Sequence, residues 1–226
     1  HLNEGDVEKI KVFFDSLNLH CKNKPITPRD YQIASFMECV KSDRSLLLSP
    51  TSSGKSLVIY SLIRWYQRFL DKDKMLIVVP TTNLVTQMYG DFGDYSSHDK
   101  SWNVEEQCHK IYSGKEKFSD NQIYISTWQS LYRLSKKYFE KFSLIVGDEA
   151  HLATANSLKG ILEKATLCRY RFGTTGTLKD SKCNKLMLEG LFGKTYTAVT
   201  SRELMDDKHI STLNIQCLDR KSTRLN

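Results

Sequence analysis

Leu46-Leu47-Leu48 runs straight into Ser49-Pro50-Thr51-Ser52-Ser53 and then into Gly54-Lys55-Ser56, where a helical pattern begins. A short apolar strand, a loop of small residues and a helix start, in that order, constrain this chain more than any other stretch. The loop's backbone N–H groups and the positive end of the helix converge on one point, and a polyphosphate fits there. Lys55 is placed to reach the outer phosphates and the Ser56 hydroxyl to ligate Mg²⁺. Thr51, Ser52, Ser53 and Gly54 complete the cradle. The pattern G-x-x-x-x-G-K-[ST] is met except at its first position, which is Ser49. A plain helix start with Ser52 or Ser53 as N-cap stays open on these residues alone.

Further on, Phe142-Ser143-Leu144-Ile145-Val146 reads as a buried strand and leads into Gly147-Asp148-Glu149-Ala150-His151. Two adjacent carboxylates at the end of a buried strand are costly unless they meet a metal or a paired cation. In a phosphate-loop ATPase the first acid holds Mg²⁺ and the second orients or deprotonates the attacking water. Asp148 and Glu149 fit those two roles. The plainer alternative is an acidic pair favoured by a helix dipole. His151, on chemistry alone, reads as structural.

The rest of the chain supplies the frame. Val7, Ile10, Phe13, Phe14 and Leu17 predict an amphipathic helix over residues 1–20. A polar connector follows, with Thr27 expected as the cap and Pro28 in the first turn of a helix that Arg29-Asp30-Tyr31-Gln32 opens. The Gln32 amide, one acceptor and two donors, suits the Hoogsteen edge of adenine. Leu57, Val58, Leu62, Trp65, Tyr66 and Phe69 predict a helix from Gly54 to Leu70, and Met75 to Val79 a parallel strand covered on both faces. Pro80 ends that strand and Thr81-Thr82 starts a helix, where hydroxyls and N–H groups can hold a nucleic-acid phosphate. Gly90 to Asn103 is expected to be an exposed connection. Strands follow at Cys108–Tyr112 and Ile123–Ile125, the second ending in Ser126-Thr127-Trp128-Gln129, and another ends in Gly173-Thr174-Thr175-Gly176-Thr177. Helices at Lys182–Leu191 and Ser201–Asp206 and strands at Thr195–Val199 and Leu213–Leu218 complete the pattern. The expected fold is α/β: a mainly parallel, doubly wound sheet with ligand-binding residues at the carboxyl ends of its strands.

The chain has 226 residues, enough for one large α/β domain with or without a small appendage. Lys+Arg number 33 against 26 Asp+Glu, and the net charge of +7 favours an acidic partner, nucleic acid first. Six scattered cysteines without a C-x-x-C pair read as reduced thiols rather than a metal site. No apolar run approaches the roughly 18 residues of a membrane span, and the start is not a signal peptide. An intracellular, cytoplasmic protein without a membrane partner is expected. The chain begins with His1, and a fragment of a longer chain is expected.

Taken together, the motifs resemble the first RecA-like lobe of a superfamily 2 helicase. The resemblance rests on Arg29-Asp30-Tyr31-Gln32 (adenine motif), Ser52-Ser53-Gly54-Lys55-Ser56 (motif I) and Pro80-Thr81-Thr82 with Leu84 and Gln87 (motif Ia). It continues with Ser126-Thr127-Trp128-Gln129, Asp148-Glu149-Ala150-His151 (motif II) and Thr175-Gly176-Thr177 (motif III, where Ser-Ala-Thr is commoner). Pro50 to Ser56, Asp148 to Thr154 and Glu203-Leu204-Met205 are similar to phage repair helicases of the UvsW type, which remodel branched DNA using ATP. That resemblance implies Gln32 and Arg29 at adenine, and Ser56 and Asp148 at Mg²⁺. It implies a coupling role for His151, Thr175 and Thr177, and strand contacts at Thr81, Thr82, Thr127 and Gln129. It places a helicase lobe over residues 25–213, a preceding helix over 1–24 and an exit segment over 214–226 toward a second RecA-like lobe. A nucleotide-gated binding module without turnover, an RNA helicase lobe and a phosphate-loop kinase are the competing readings. The kinase has no use for Gln32 or Asp148-Glu149-Ala150-His151.

Overall fold

In the computed structural model, residues 4–50, 52–68, 70, 73–112, 114–152, 157–176, 182–200 and 203–204 are described. Helix α1 (Glu4–Ser16) leads into a small antiparallel pair, β1 (His20–Cys21) with β2 (Lys24–Pro25), and then into α2 (Asp30–Lys41). Alternation follows: β3 (Arg44–Leu48), α3 (Lys55–Tyr66), β4 (Lys74–Val79) and α4 (Thr82–Tyr95). After a helical turn, α5 (Val104–Gln107), come β5 (Cys108–Ile111) and β6 (Ile123–Thr127). Two more turns, α6 (Trp128–Leu131) and α7 (Lys136–Phe139), precede β7 (Phe142–Gly147). The order closes with α8 (Leu158–Lys164), β8 (Tyr170–Thr175), α9 (Lys182–Phe192) and β9 (Thr195–Thr197).

Strands β3 to β9 form one seven-stranded sheet in the order β5-β6-β4-β7-β8-β3-β9, and each pairing in it is parallel. The period-two geometry of a strand sends neighbouring side chains to opposite faces, which is why these strands read as unbroken apolar runs. In β4, Met75, Ile77 and Val79 enter one core while Leu76 and Val78 enter the other. The first core is closed by α1 to α4, through Phe13, Phe36, Leu62 and Phe92. The second is closed by Leu158, Ile161 and Leu162 of α8 with Leu188 and Phe192 of α9. Each such side chain removed from water stabilises by roughly 1.5–3 kcal/mol, so a sheet covered on both faces can keep its strand ends open for ligands.

The strand order decides what meets what. β8 lies between β3 and β7, so the loop after β3 and the acidic pair after β7 flank the end of β8. On the other side, β4 and β6 are neighbours, and their ends bring Thr81-Thr82 beside Thr127-Trp128-Gln129. Two clusters therefore share one edge of the sheet.

Two expectations are corrected. The connection expected from Gly90 onward is helical as far as Tyr95, because the stripe of Val85 and Met88 continues into buried Phe92 and Tyr95. That burial outweighs the helix cost of Gly90 and Gly93, about 1 kcal/mol each. The cap of α2 is Arg29 rather than Thr27, and Pro28 lies ahead of the helix. Gln32 Oε1 accepts from the Arg29 N–H at 2.9 Å, which fixes the start two residues later than expected. Of the helix expected at Ser201–Asp206 only Glu203 and Leu204 are described, and both are helical; the strand expected at Leu213–Leu218 lies outside the described residues. Cys21, Cys39, Cys108 and Cys168 are free thiols. No helix among the described residues is long and apolar enough to cross a membrane.

Candidate active site

Gly54 caps α3 with φ +77°, in the left-handed region. A Cβ there would stand 2.4 Å from Gln32 Nε2, so glycine is required both for the turn and for the approach of Gln32. Gln32 is only 6% exposed. Its Nε2 donates to the carbonyls of Ser53 (3.0 Å) and Gly54 (3.3 Å), while its Oε1 accepts from Arg29 N. The Tyr31 hydroxyl donates to the Ser53 carbonyl at 3.0 Å and accepts from Arg29 Nη1 at 2.8 Å. The adenine-motif residues thus hold the phosphate loop from behind. At Ser49, where the loop pattern has glycine, the hydroxyl lies 2.6 Å from that of Ser53 and the N–H donates to the Thr175 carbonyl. Thr51 and Thr177 lie outside the described residues.

Lys55 Nζ pairs with Glu149 Oε1 at 2.6 Å, joining the phosphate loop to the acidic pair. Glu149 has φ +51°, which costs a non-glycine residue on the order of 1–3 kcal/mol and is found where function over-determines the backbone. Its second oxygen lies 3.3 Å from His151 Nδ1, and that nitrogen lies 3.0 Å from Thr175 Oγ1. Glu149, His151 and Thr175 are therefore one connected group. Behind them Asp148 is 9% exposed, and Thr174 Oγ1 donates to its Oδ1. Burial pushes the Asp148 carboxyl above its ordinary pKa, against the bond from Thr174 and the charge of Lys55.

No group of three or more His, Cys, Asp or Glu able to hold a metal occurs among the described residues. One buried carboxylate and one hydroxyl are the donor set that suits Mg²⁺, which keeps waters and takes phosphate oxygens for the rest. The Ser56 hydroxyl is turned to the Tyr95 hydroxyl, 2.9 Å away at the end of α4, and it also interacts with the carboxyl of Asp91. Tyr95 was not foreseen, since only tertiary packing brings it to Ser56.

At the second cluster, Thr81, Thr82, Thr127 and Gln129 line one cavity of about 790 Å³. Thr81, Thr82 and Gln129 are exposed. Thr81 Oγ1 caps α4 by accepting from Leu84 N, and Gln129 Nε2 donates to the Pro80 carbonyl at 3.2 Å. Thr127 is only 5% exposed, its hydroxyl 2.9 Å from that of Ser130, so it forms the back of the cavity rather than its open face. Tyr112, Trp128 and Tyr132 complete the wall. Trp128 also borders a smaller cavity beside Asp148 and Glu149. Aromatic residues interleaved with Lys115, Lys117 and Arg133 were the signal in the sequence for this wall.

Residues 25–180 match the family described as "Type III restriction enzyme, res subunit". The chain belongs to that family. This ResIII chain is 34% identical over 224 residues to the ATP-dependent DNA helicase uvsW of Enterobacteria phage T4, a match covering 96% of the chain and 43% of the relative. It is 28% identical over 174 residues to the DNA 3'-5' translocase XPB2 of Sulfurisphaera tokodaii, covering 77% of the chain and 36% of that protein. The crystal structure of the UvsW helicase from Bacteriophage T4 matches with a TM-score of 0.76 at 33% identity, over 87% of this chain and 68% of that one. The ResIII chain thus spans less than half the length of the curated relatives it matches. Its fold is that of the first RecA-like lobe of superfamily 2 helicases, as expected from the motifs.

Proposed function

We propose that this chain is the ATP-binding lobe of a DNA-dependent ATPase that remodels branched DNA in recombination and repair, coupling hydrolysis to strand movement. The observation that carries the reading is the 2.6 Å Lys55–Glu149 pair, which brings motifs I and II into one site in front of Asp148. The likeness to two DNA motor proteins points the same way. ATP is the substrate; Gln32 and Arg29 take the adenine end, and the loop from Thr51 to Ser56 takes the phosphates. To read adenine, the Gln32 amide gives up a carbonyl of the loop. Ser56 and Asp148 would hold Mg²⁺, which when bound would supply positive charge to the phosphates. Lys55 exchanges Glu149 for a phosphate, and the freed carboxylate accepts a proton from water. His151, Thr175 and Thr177 pass that change toward the strand track of Thr81, Thr82 and Gln129, which meets DNA phosphates, with Thr127 buried behind it. A second lobe of a longer chain closes the site.

Lys55→Ala is expected to abolish the nucleotide-dependent rise in melting temperature while the circular dichroism spectrum is unchanged. For the wild type at 100 times Kd, the rise is roughly 5–10 °C. An unchanged rise in the mutant sinks the phosphate-loop assignment.

Tyr95→Phe keeps the ring packed on Tyr60, whose centroid lies 5.6 Å away, and removes one of the two partners of the Ser56 hydroxyl, leaving Asp91. The Mg²⁺ concentration for half-maximal nucleotide binding is expected to fall by roughly 2- to 10-fold, the value of one hydrogen bond. Titration of a fluorescent nucleotide with Mg²⁺ measures it, and an unaltered midpoint removes Tyr95 from the metal site.

A further inference from the structure

We infer that the cavity beside the strand track is a seat for one unstacked nucleobase of the bound strand. The inference rests on the strand-track reading above and adds a ligand that a phosphate track by itself does not need. Hydroxyls and amides are sufficient to hold phosphates, and Thr81, Thr82 and Gln129 supply them at the mouth. The cavity behind them is a different environment. Its volume of about 790 Å³ is that of a small-ligand pocket. Three rings, Tyr112, Trp128 and Tyr132, face it, and all three are only partly buried. Trp128 and Tyr132 meet edge to face, 5.7 Å between centroids at 66°, so each keeps at least one face that the other does not cover.

Cations stand around these rings. The Arg133 guanidinium lies 5.3 Å from the Tyr132 centroid and Lys115 Nζ 5.7 Å from the Tyr112 centroid, while Lys117 is exposed on the lining. Tyr132 is held at both ends: Arg133 Nε donates to its hydroxyl at 2.7 Å, and Lys164 donates to its backbone carbonyl and to that of Leu134. Fixed aromatic faces flanked by cations and opening onto a phosphate track match how single-stranded nucleic acid is held by stacking. The charge excludes a cationic or neutral apolar occupant as the better fit. A strand at a branch point offers a base that has already lost its partner, and turning such a base out costs least.

The test is an abasic scan. Forked DNA, which fixes the register, carries a single abasic residue moved along one arm, and its affinity for the full-length protein is measured by fluorescence anisotropy. Wild-type protein is expected to lose roughly 5- to 150-fold at one position and little elsewhere. Tyr132→Ala and Tyr112→Ala should weaken intact DNA by a comparable factor, become indifferent to the abasic residue there, and leave the salt dependence of binding unchanged, since no phosphate contact is lost. Thr81→Ala with Thr82→Ala should instead weaken every DNA in the scan alike. A flat scan in the wild type, with the threonine variants still weakened, overturns the seat and keeps the track. A flat scan with no effect of the threonine variants overturns both. The wild-type scan needs no mutant to fold.

Discussion

Glu149→Gln is expected to lower DNA-stimulated ATP turnover of the full-length protein by roughly 10²- to 10⁴-fold, the usual value of a positioned general base. The amide keeps the shape of the side chain and suits the same backbone, but it cannot accept the proton. Nucleotide binding should persist. Lys55, whose carboxylate partner at 2.6 Å is gone in the variant, has one fewer competitor for the phosphate. Asp148→Asn should behave differently. That side chain is buried and bonded by Thr174, and its loss should weaken the Mg²⁺ dependence of binding. Single-turnover hydrolysis together with equilibrium nucleotide binding separates the two. Wild-type turnover in both variants would falsify the paired-acid reading.

Residues 1–226 alone are expected to turn over ATP roughly 10³- to 10⁵-fold more slowly than the longer parent chain with DNA, the value of a missing arginine finger. That ratio is about 4–7 kcal/mol of barrier. Four cations among the described residues bear on the expectation. Lys55 serves one side of the phosphates, and Arg29 is held by Tyr31. Arg64 pairs with Asp99 at 2.8 Å, and Arg171 is buried against the carbonyls of Ala165 and Cys168. Arg29, Arg64 and Arg171 are thus each engaged within the lobe. DNA is expected to bind the +7 lobe without raising turnover in it. The measurement is DNA-stimulated phosphate release from both chains. Strong stimulation of residues 1–226 would place a catalytic cation within them and end the proposal of a half-site.

How much of this was legible beforehand follows from the range of each interaction. The sheet was readable because buried parallel strands must be apolar on both faces, as Met75 to Val79 are. The joined motifs I and II were readable because each is a local pattern at a strand end. What escaped depends on partners far along the chain. Nothing near Gln32 says that its amide is engaged by the Ser53 and Gly54 carbonyls. Nothing near Ser56 points to Tyr95. Thr127 was chosen for its hydroxyl, but Ser130 sits over it. Gly90 to Asn103 reads as a connection because it is polar and rich in Ser and Asp, which is a local signal, while the burial of Phe92 and Tyr95 that overrides it is tertiary.

Trp128 belongs to two rooms at once: one face of its surroundings is the cavity of Thr81 and Gln129, the other the recess of Asp148 and Glu149. A residue common to both linings is a place where occupancy of one room can be felt in the other, and linkage makes any such effect mutual. If a strand in the larger room alters nucleotide affinity in the smaller by some factor, nucleotide alters strand affinity by the same factor, because the two routes around the cycle end in one state. Trp128→Ala is the variant in which that common factor is expected to shrink, since Trp128 is the residue lining both cavities beside Pro80.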